Sequence, residues 1–171
     1  EEWARVGLSD IGAAQSMFKL PANAKLIPGI SVTAAVYEAG GKRVRPTYGW
    51  AGFAGAGGLE RGAEDPDAVL RAVSALELIQ ACALVHDDII DASDTRRGNP
   101  TVHRALEAEH RDRDLLGSAE GYGTNAAILL GDLALAWAED MWRYSGVSQE
   151  ALARAAEPWV GMRTEVIGGQ L

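Results

Sequence analysis

Apolar positions recur at threes, fours and their multiples along nearly the whole chain, which is the period of a helix rather than the alternation of a strand. The clearest run carries Val69, Val73, Leu76, Ile79, Ala83 and Ile90. Asp65-Pro66 opens it with an N-cap residue and a proline suited to the first turn, so the pattern predicts a helix from Asp67 to about Ile90, roughly 35 Å long at 1.5 Å per residue. A second long helix is expected from Ser118 to Tyr144, closed by Gly146. Ser148 caps a further run, which Pro158 is expected to interrupt or restart before Gly168-Gly169-Gln170. Asn99-Pro100 reads as the start of a short helical segment reaching about Glu109. Residues 31–57 read as two helices parted at Gly40-Gly41, and residues 57–64 as a loop rather than a domain linker. No alternating strand and no repeat is visible. The expectation is a single all-α domain over residues 1–171.

Composition narrows the class without naming a function. Apolar residues make up 47% and charged residues 23% of 171 positions, ordinary for a globular domain with a substantial core. Cys82 is the one cysteine, which argues against a disulfide framework and for a reducing, cytoplasmic setting. No run approaches the length of a membrane span in this reading. The net charge is −8 and the pI near 4.9, and no basic face with interleaved aromatics is present, so nucleic acid is not an expected partner.

The chemistry concentrates in residues 84–103, LVHDDIIDASDTRRGNPTVH. Asp87 and Asp91 are four apart, so on a helix their carboxylates share one face. No basic partner stands at helical spacing, and a bound divalent cation would relieve their repulsion. Mg²⁺ suits such a site: it takes one or two carboxylates and completes its octahedron with water and substrate phosphate. Asp87, Asp88 and Asp91 also lie at the helix C-terminus, where the macrodipole disfavours negative charge. A local rule broken three times in five residues marks a functional site. Arg96 and Arg97 follow, with planar forks that match phosphate oxygens. Together these residues predict a site for a magnesium–diphosphate complex.

A second constellation is Gly40-Gly41-Lys42-Arg43-Val44-Arg45-Pro46. Two glycines permit close approach of backbone to ligand, and the cations form a local basic cluster in an acidic chain. His86 is expected to form hydrogen bonds rather than ligate Mg²⁺, which prefers oxygen. His103 is expected to pack and bond locally. Asp132 reads as a buried hydrogen-bond partner, and Trp137 and Trp142 as core or subunit contacts.

Four landmarks carry a likeness: GGKRVRP at 40–46, DDIIDASDTRRGNPTVH at 87–103, LLGDLALA at 129–136 and GGQ at 168–170. By these the chain resembles the trans-isoprenyl (polyprenyl) diphosphate synthases, all-α prenyltransferases with an isoprenoid synthase-type antiparallel helical bundle. The resemblance implies addition of isopentenyl diphosphate to an allylic diphosphate with release of pyrophosphate. It implies Mg²⁺ at Asp87 and Asp91 with Asp88 in support, and Arg96 on the allylic diphosphate. It places Lys42, Arg45 and Arg97 on the isopentenyl diphosphate, with Gly41 presenting its backbone and Gln80 assisting two helical turns before Asp87. Gln170 would lie near the allylic substrate. The small residues Cys82 and Ala83 would leave room for a growing tail, predicting a product of geranylgeranyl (C20) length or longer. A homodimer is the family's expectation.

The family carries a second aspartate-rich motif and a Lys-Thr pair beyond GGQ, and this sequence stops at Leu171 without them. The expectation is therefore the N-terminal part of a longer synthase, truncated before its C-terminal helices and catalytically inactive as an isolated piece. Two rivals are a class I terpene cyclase, which needs no isopentenyl site, and a non-catalytic subunit that binds prenyl diphosphates within a hetero-oligomer.

Overall fold

The computed structural model describes residues 44–170. Among them, six helices and one two-residue hairpin follow in order: α1 (Val44–Gly55), α2 (Gly58–Arg61), α3 (Pro66–Ile90), β1 (Thr95–Arg96), β2 (Asn99–Pro100), α4 (Val102–Asp112), α5 (Ala119–Arg143) and α6 (Gln149–Gly168). The fold is all-α, as the helical period predicts.

Local signals set most helix ends. The Asp65 carboxylate accepts from the Asp67 amide at the start of α3, and Ser118 and Ser148 accept from Gly121 and Ala151 at the starts of α5 and α6. Gly146 takes φ +96° between α5 and α6, a conformation that glycine adopts without strain.

Three sequence expectations change. First, α6 runs unbroken through Pro158. The proline and Arg154, whose carbonyl loses its partner, are both exposed, so water can serve the freed oxygen. Second, Asn99-Pro100 begins no helix but pairs with Thr95-Arg96. Arg97 and Gly98, at φ 53° and 82°, form a two-residue turn with both central residues left-handed, the geometry that suits a tight hairpin. Helix α4 starts only after Thr101. Third, the expected loop at 57–64 contains the single turn α2.

Helix α5 is the spine. It runs antiparallel to α3: His86 lies against Gly131 and Ile128, Cys82 against Ala134, the Ala75–Leu78 turn against Ala138 and Met141, and Arg71 donates to the Ser145 carbonyl at 2.7 Å. Helix α4 packs on the first half of α5, where Val102, Leu106, Ala127 and Leu130 close a core with Val85. Helix α6 runs alongside α3. Ser148 donates to Glu64 at its beginning, Trp159 packs on Ala75, Leu78 and Ile79 at its middle, and Gln170 reaches Asp87 at its end. The two Ser148 donors, hydroxyl and then amide, hold the Glu64 carboxyl below its ordinary range. Helix α1 leans on α3 at Gly49, where an added Cβ would meet Val73.

By length and composition α3 is apolar enough to cross a membrane, contrary to the sequence reading that no run reaches that length, and 56% of its most apolar window is buried inside the bundle. Its apolar character serves packing on α5.

A polar hub joins α5 to α6. Glu139 accepts from Trp159 Nε1 and Arg163 at 2.7 Å each and from Arg143 at 2.8 Å. Trp142, expected as a core or subunit contact, stacks on Trp159 with ring centroids 5.0 Å apart. Burial alone would raise the Glu139 carboxyl, but these donors outweigh it and hold it below its usual range.

Two predictions follow from this packing. At Gly123 an added Cβ would lie 2.4 Å from the His103 carbonyl oxygen, a backbone atom that cannot step aside. Gly123→Ala is expected to destabilise the fold by about 2–3 kcal/mol in urea denaturation. Glu139→Gln is expected to cost about 1–2 kcal/mol at pH 7. A depressed carboxyl stabilises above its unfolded pKa and loses that contribution as pH falls through the folded value. The gap between Glu139→Gln and wild type should therefore narrow below about pH 4, and a constant gap down to pH 3 would refute the assignment.

Candidate active site at the C-terminal end of α3

Helix α3 ends in a Schellman motif: the Ala92 amide donates to the Ile89 carbonyl at 3.1 Å and the Ser93 amide to the Asp88 carbonyl at 2.9 Å. The left-handed position is Ala92, at φ 50°, where glycine is usual. This left-handed turn costs about 1–2 kcal/mol and sits one residue past Asp91. It turns the chain sharply into the hairpin, which carries Arg96 back over the helix end.

Asp88 is 2% exposed and points inward. Arg96 Nε donates to both its oxygens at 2.9 and 3.1 Å, and Nη2 lies 2.8 Å from Oδ1. The same Nη2 donates to Asp87 Oδ2 at 2.9 Å. The Asp88 hydrogen bond raises the Arg96 pKa, with burial opposing and Asp87 adding, so the guanidinium stays charged. The sequence reading found no basic partner at helical spacing for Asp87 and Asp91 and did not pair Arg96 with any of the three carboxylates, because Arg96 lies beyond the end of α3, where helical spacing no longer applies. The left-handed turn at Ala92 and the hairpin it leads into place Arg96 against Asp88. The Asp88–Arg96 pair gives that buried carboxylate the partner its burial demands.

Asp87 and Asp91 face outward. Asp87 is partly exposed and accepts from Gln170 Nε2 at 3.1 Å through Oδ1, and Asp91 is exposed at the C-cap. Gln170, expected near the allylic substrate, lies at the end of α6 against Asp87. Gln80 and Ala83 stand seven and four residues before Asp87 on the same face, both half-buried. Cys82 is different: it is buried between α3 and α5 against Ala81 and Ala134, away from Asp87's face. Arg97 is exposed at the hairpin tip, and Arg45 is exposed in the first turn of α1 without hydrogen-bond contact to the carboxylates. Gly41 and Lys42 lie outside the described residues.

The supporting residues were less visible in sequence. Thr101 is fully buried; its hydroxyl donates to the Ser93 carbonyl at 2.8 Å and lies 3.3 Å from His103 Nδ1. Burial pushes the His103 pKa down, with Arg104 adding, which favours the neutral ring donating to Thr101. His103 thus bonds locally as expected. His86 likewise forms a hydrogen bond, to the Ile128 carbonyl at 3.1 Å. Asp132 departs from expectation: its side chain is 62% exposed, 3.7 Å from His86, because it falls on the outer face of α5.

The arrangement fits a hard divalent cation. The outward donors are carboxylate oxygens; of the two nearby imidazoles, His86 is turned into α5 and His103 is buried beside Thr101. Asp87 and Asp91 match the one-or-two-carboxylate mode of Mg²⁺, in which water and phosphate complete the shell; among the described residues no group of three or more ligating side chains converges.

Residues 30–170 match the polyprenyl synthetase family. The chain is 40% identical over 98 residues to a short chain isoprenyl diphosphate synthase of Methanocaldococcus jannaschii, covering 57% of this chain and 23% of that protein. It is 31% identical over 150 residues to a geranylfarnesyl diphosphate synthase of Natronomonas pharaonis, covering 82% and 39%. Among solved structures it resembles a geranylgeranyl pyrophosphate synthase from Corynebacterium glutamicum, complexed with isoprenyl diphosphate and magnesium. The TM-score is 0.79 at 50% identity, over 93% of this chain and 47% of that one. The chain spans less than half the length of each of these relatives.

The buried pair yields a prediction. Asp88→Asn removes the anion that holds Arg96 while keeping shape, and is expected to lower stability by about 2 kcal/mol in chemical denaturation. An unchanged midpoint would show that Arg96 is held by other contacts.

Proposed function

We propose a function on one premise: the chain belongs to the polyprenyl synthetase family. The chain supplies the first aspartate-rich wall of a prenyltransferase that joins isopentenyl diphosphate to an allylic prenyl diphosphate and releases pyrophosphate. The observation that carries this reading is the division of labour at the end of α3. Asp87 and Asp91 face outward for a cation, while Asp88 faces inward and fixes Arg96.

Asp87 and Asp91 would hold Mg²⁺, which when bound would neutralise charge on the departing pyrophosphate. Arg96 spends Nε and Nη2 on the two carboxylates, and the N–H pair of Nη1 is left to reach a phosphate oxygen. Gln170 steadies Asp87 from α6. Lys42, Arg45, Arg97 and the Gly41 backbone take the isopentenyl diphosphate with Gln80, and the helix walls keep water from an allylic cation. The outward face above Asp87 carries the small Ala83, which supports a product of C20 or longer. Cys82, buried on the other side, does not line that face. The exposed Ile128 and Leu129 on α5 support a homodimer, and a reducing cytoplasm suits the free thiol. A terpene cyclase would need no isopentenyl diphosphate.

The test is incorporation of labelled isopentenyl diphosphate by the full-length protein, with geranyl, farnesyl and geranylgeranyl diphosphates as primers. Mg²⁺-dependent elongation is expected, and Asp87→Asn and Asp91→Asn should each lower turnover by at least about 100-fold, roughly 3 kcal/mol of barrier. Conversion of the allylic substrate without isopentenyl diphosphate would favour the cyclase. Binding of prenyl diphosphates without turnover would favour a non-catalytic subunit.

A further inference from the structure

We propose that His86 is a positioning residue for the α3 carboxylates and that position 131 is glycine so that His86 can act; the inference rests on the divalent-cation reading of Asp87 and Asp91. His86 directly precedes Asp87, yet its ring is directed into α5. Nε2 lies 3.1 Å from the Ile128 carbonyl oxygen, which can only accept, so Nε2 carries the proton. The other ring nitrogen, Nδ1, lies 3.8 Å from Cys82 Sγ. Burial, with the charge of Asp132 adding, pushes the Cys82 thiol up, so the sulfur keeps its proton and can donate weakly to Nδ1. Asp132 Oδ1, at 3.7 Å from Nε2, is beyond hydrogen-bond reach and leaves the Ile128 contact as the tether.

Gly131 makes the arrangement possible. A Cβ there would lie 2.2 Å from His86 Nε2, 2.6 Å from Cδ2 and 2.9 Å from Cε1. The ring is engaged at both nitrogens and cannot yield without giving up its bond to α5. The last turn of a helix is otherwise its loosest part. Tying the residue before Asp87 to the α5 backbone fixes the rotation of that turn, and with it the direction of both Asp87 and Asp91.

The experiment is Mn²⁺ titration of the full-length protein by electron paramagnetic resonance, with no substrate, beside thermal melts followed by circular dichroism. His86→Ala is expected to weaken Mn²⁺ binding about tenfold, the low end for loss of a group that orients metal ligands. His86→Gln, whose amide N–H can reach the Nε2 position, should recover most of it. Gly131→Ala should weaken binding about as much as His86→Ala. The double variant should bind no worse than His86→Ala, since the clash disappears with the ring. If His86→Ala and Gly131→Ala lower the melting temperature but bind Mn²⁺ like wild type, the ring is packing alone and the proposal fails. If wild type and Asp87→Asn bind Mn²⁺ equally, the cation reading itself falls and takes the proposal with it.

Discussion

The close approach of α5 to its neighbours governs this structure. Gly123, Ala127, Gly131, Ala134 and Ala138 are all buried and recur every three or four residues, so they form one narrow stripe along the helix. A stripe of small residues lets α3 and α4 come near the α5 backbone and seat polar contacts there that larger side chains would exclude. The His103 carbonyl beside Gly123 and the His86 ring beside Gly131 both depend on it. Much of the bulk that fills the core comes from the facing helices, through Val85, Leu106, Leu78 and Ile79, beside Leu130 and Met141 of α5.

That division explains why α3 resembles a membrane span by composition. A helix facing a stripe of glycine and alanine must supply the apolar volume itself. Its polar exceptions, Ser74, Glu77 and Asp88, are buried, and Ser74 bonds to the Leu70 carbonyl while Asp88 bonds to Arg96. Composition describes the helix, and only its surroundings describe its role.

What could be read from sequence was local. Asp65-Pro66, Ser118 and Ser148 announce helix starts because a cap acts within three residues, and Gly146 announces an end for the same reason. Pro158 misled because a helix tolerates a proline whose freed carbonyl meets water, and exposure is not local information. Asn99-Pro100 misled because a hairpin depends on backbone handedness at Arg97 as well as Gly98, and arginine gives no sign of adopting it. Arg96, which pairs with Asn99 in that hairpin, is also the residue that meets Asp88, so the misread element and the unforeseen ion pair lie in one small unit. The outward carboxylates were legible from i, i+4 spacing. The inward one was not distinguishable from them, since adjacent aspartates look alike until one is buried. Cys82 and Ala83 are likewise neighbours in sequence, but a 100° step separates the open face from the α5 interface.

The end of α3 gathers costs that the rest of the fold avoids. Three carboxylates oppose the helix dipole, Ala92 holds a left-handed conformation, and one aspartate is buried. Such features persist where surrounding contacts over-determine them. Here the contacts come from three separate directions: Arg96 from the hairpin, Gln170 from the end of α6 and the Ile128 carbonyl from α5. Arg96 grips Asp88 and one oxygen of Asp87, Gln170 the other oxygen of Asp87, and the Ile128 carbonyl the neighbouring His86, so no single rotation relieves all three. A carboxylate pair held this way needs little rearrangement to meet a cation, and preorganisation of that kind is what makes electrostatic stabilisation effective in a closed site.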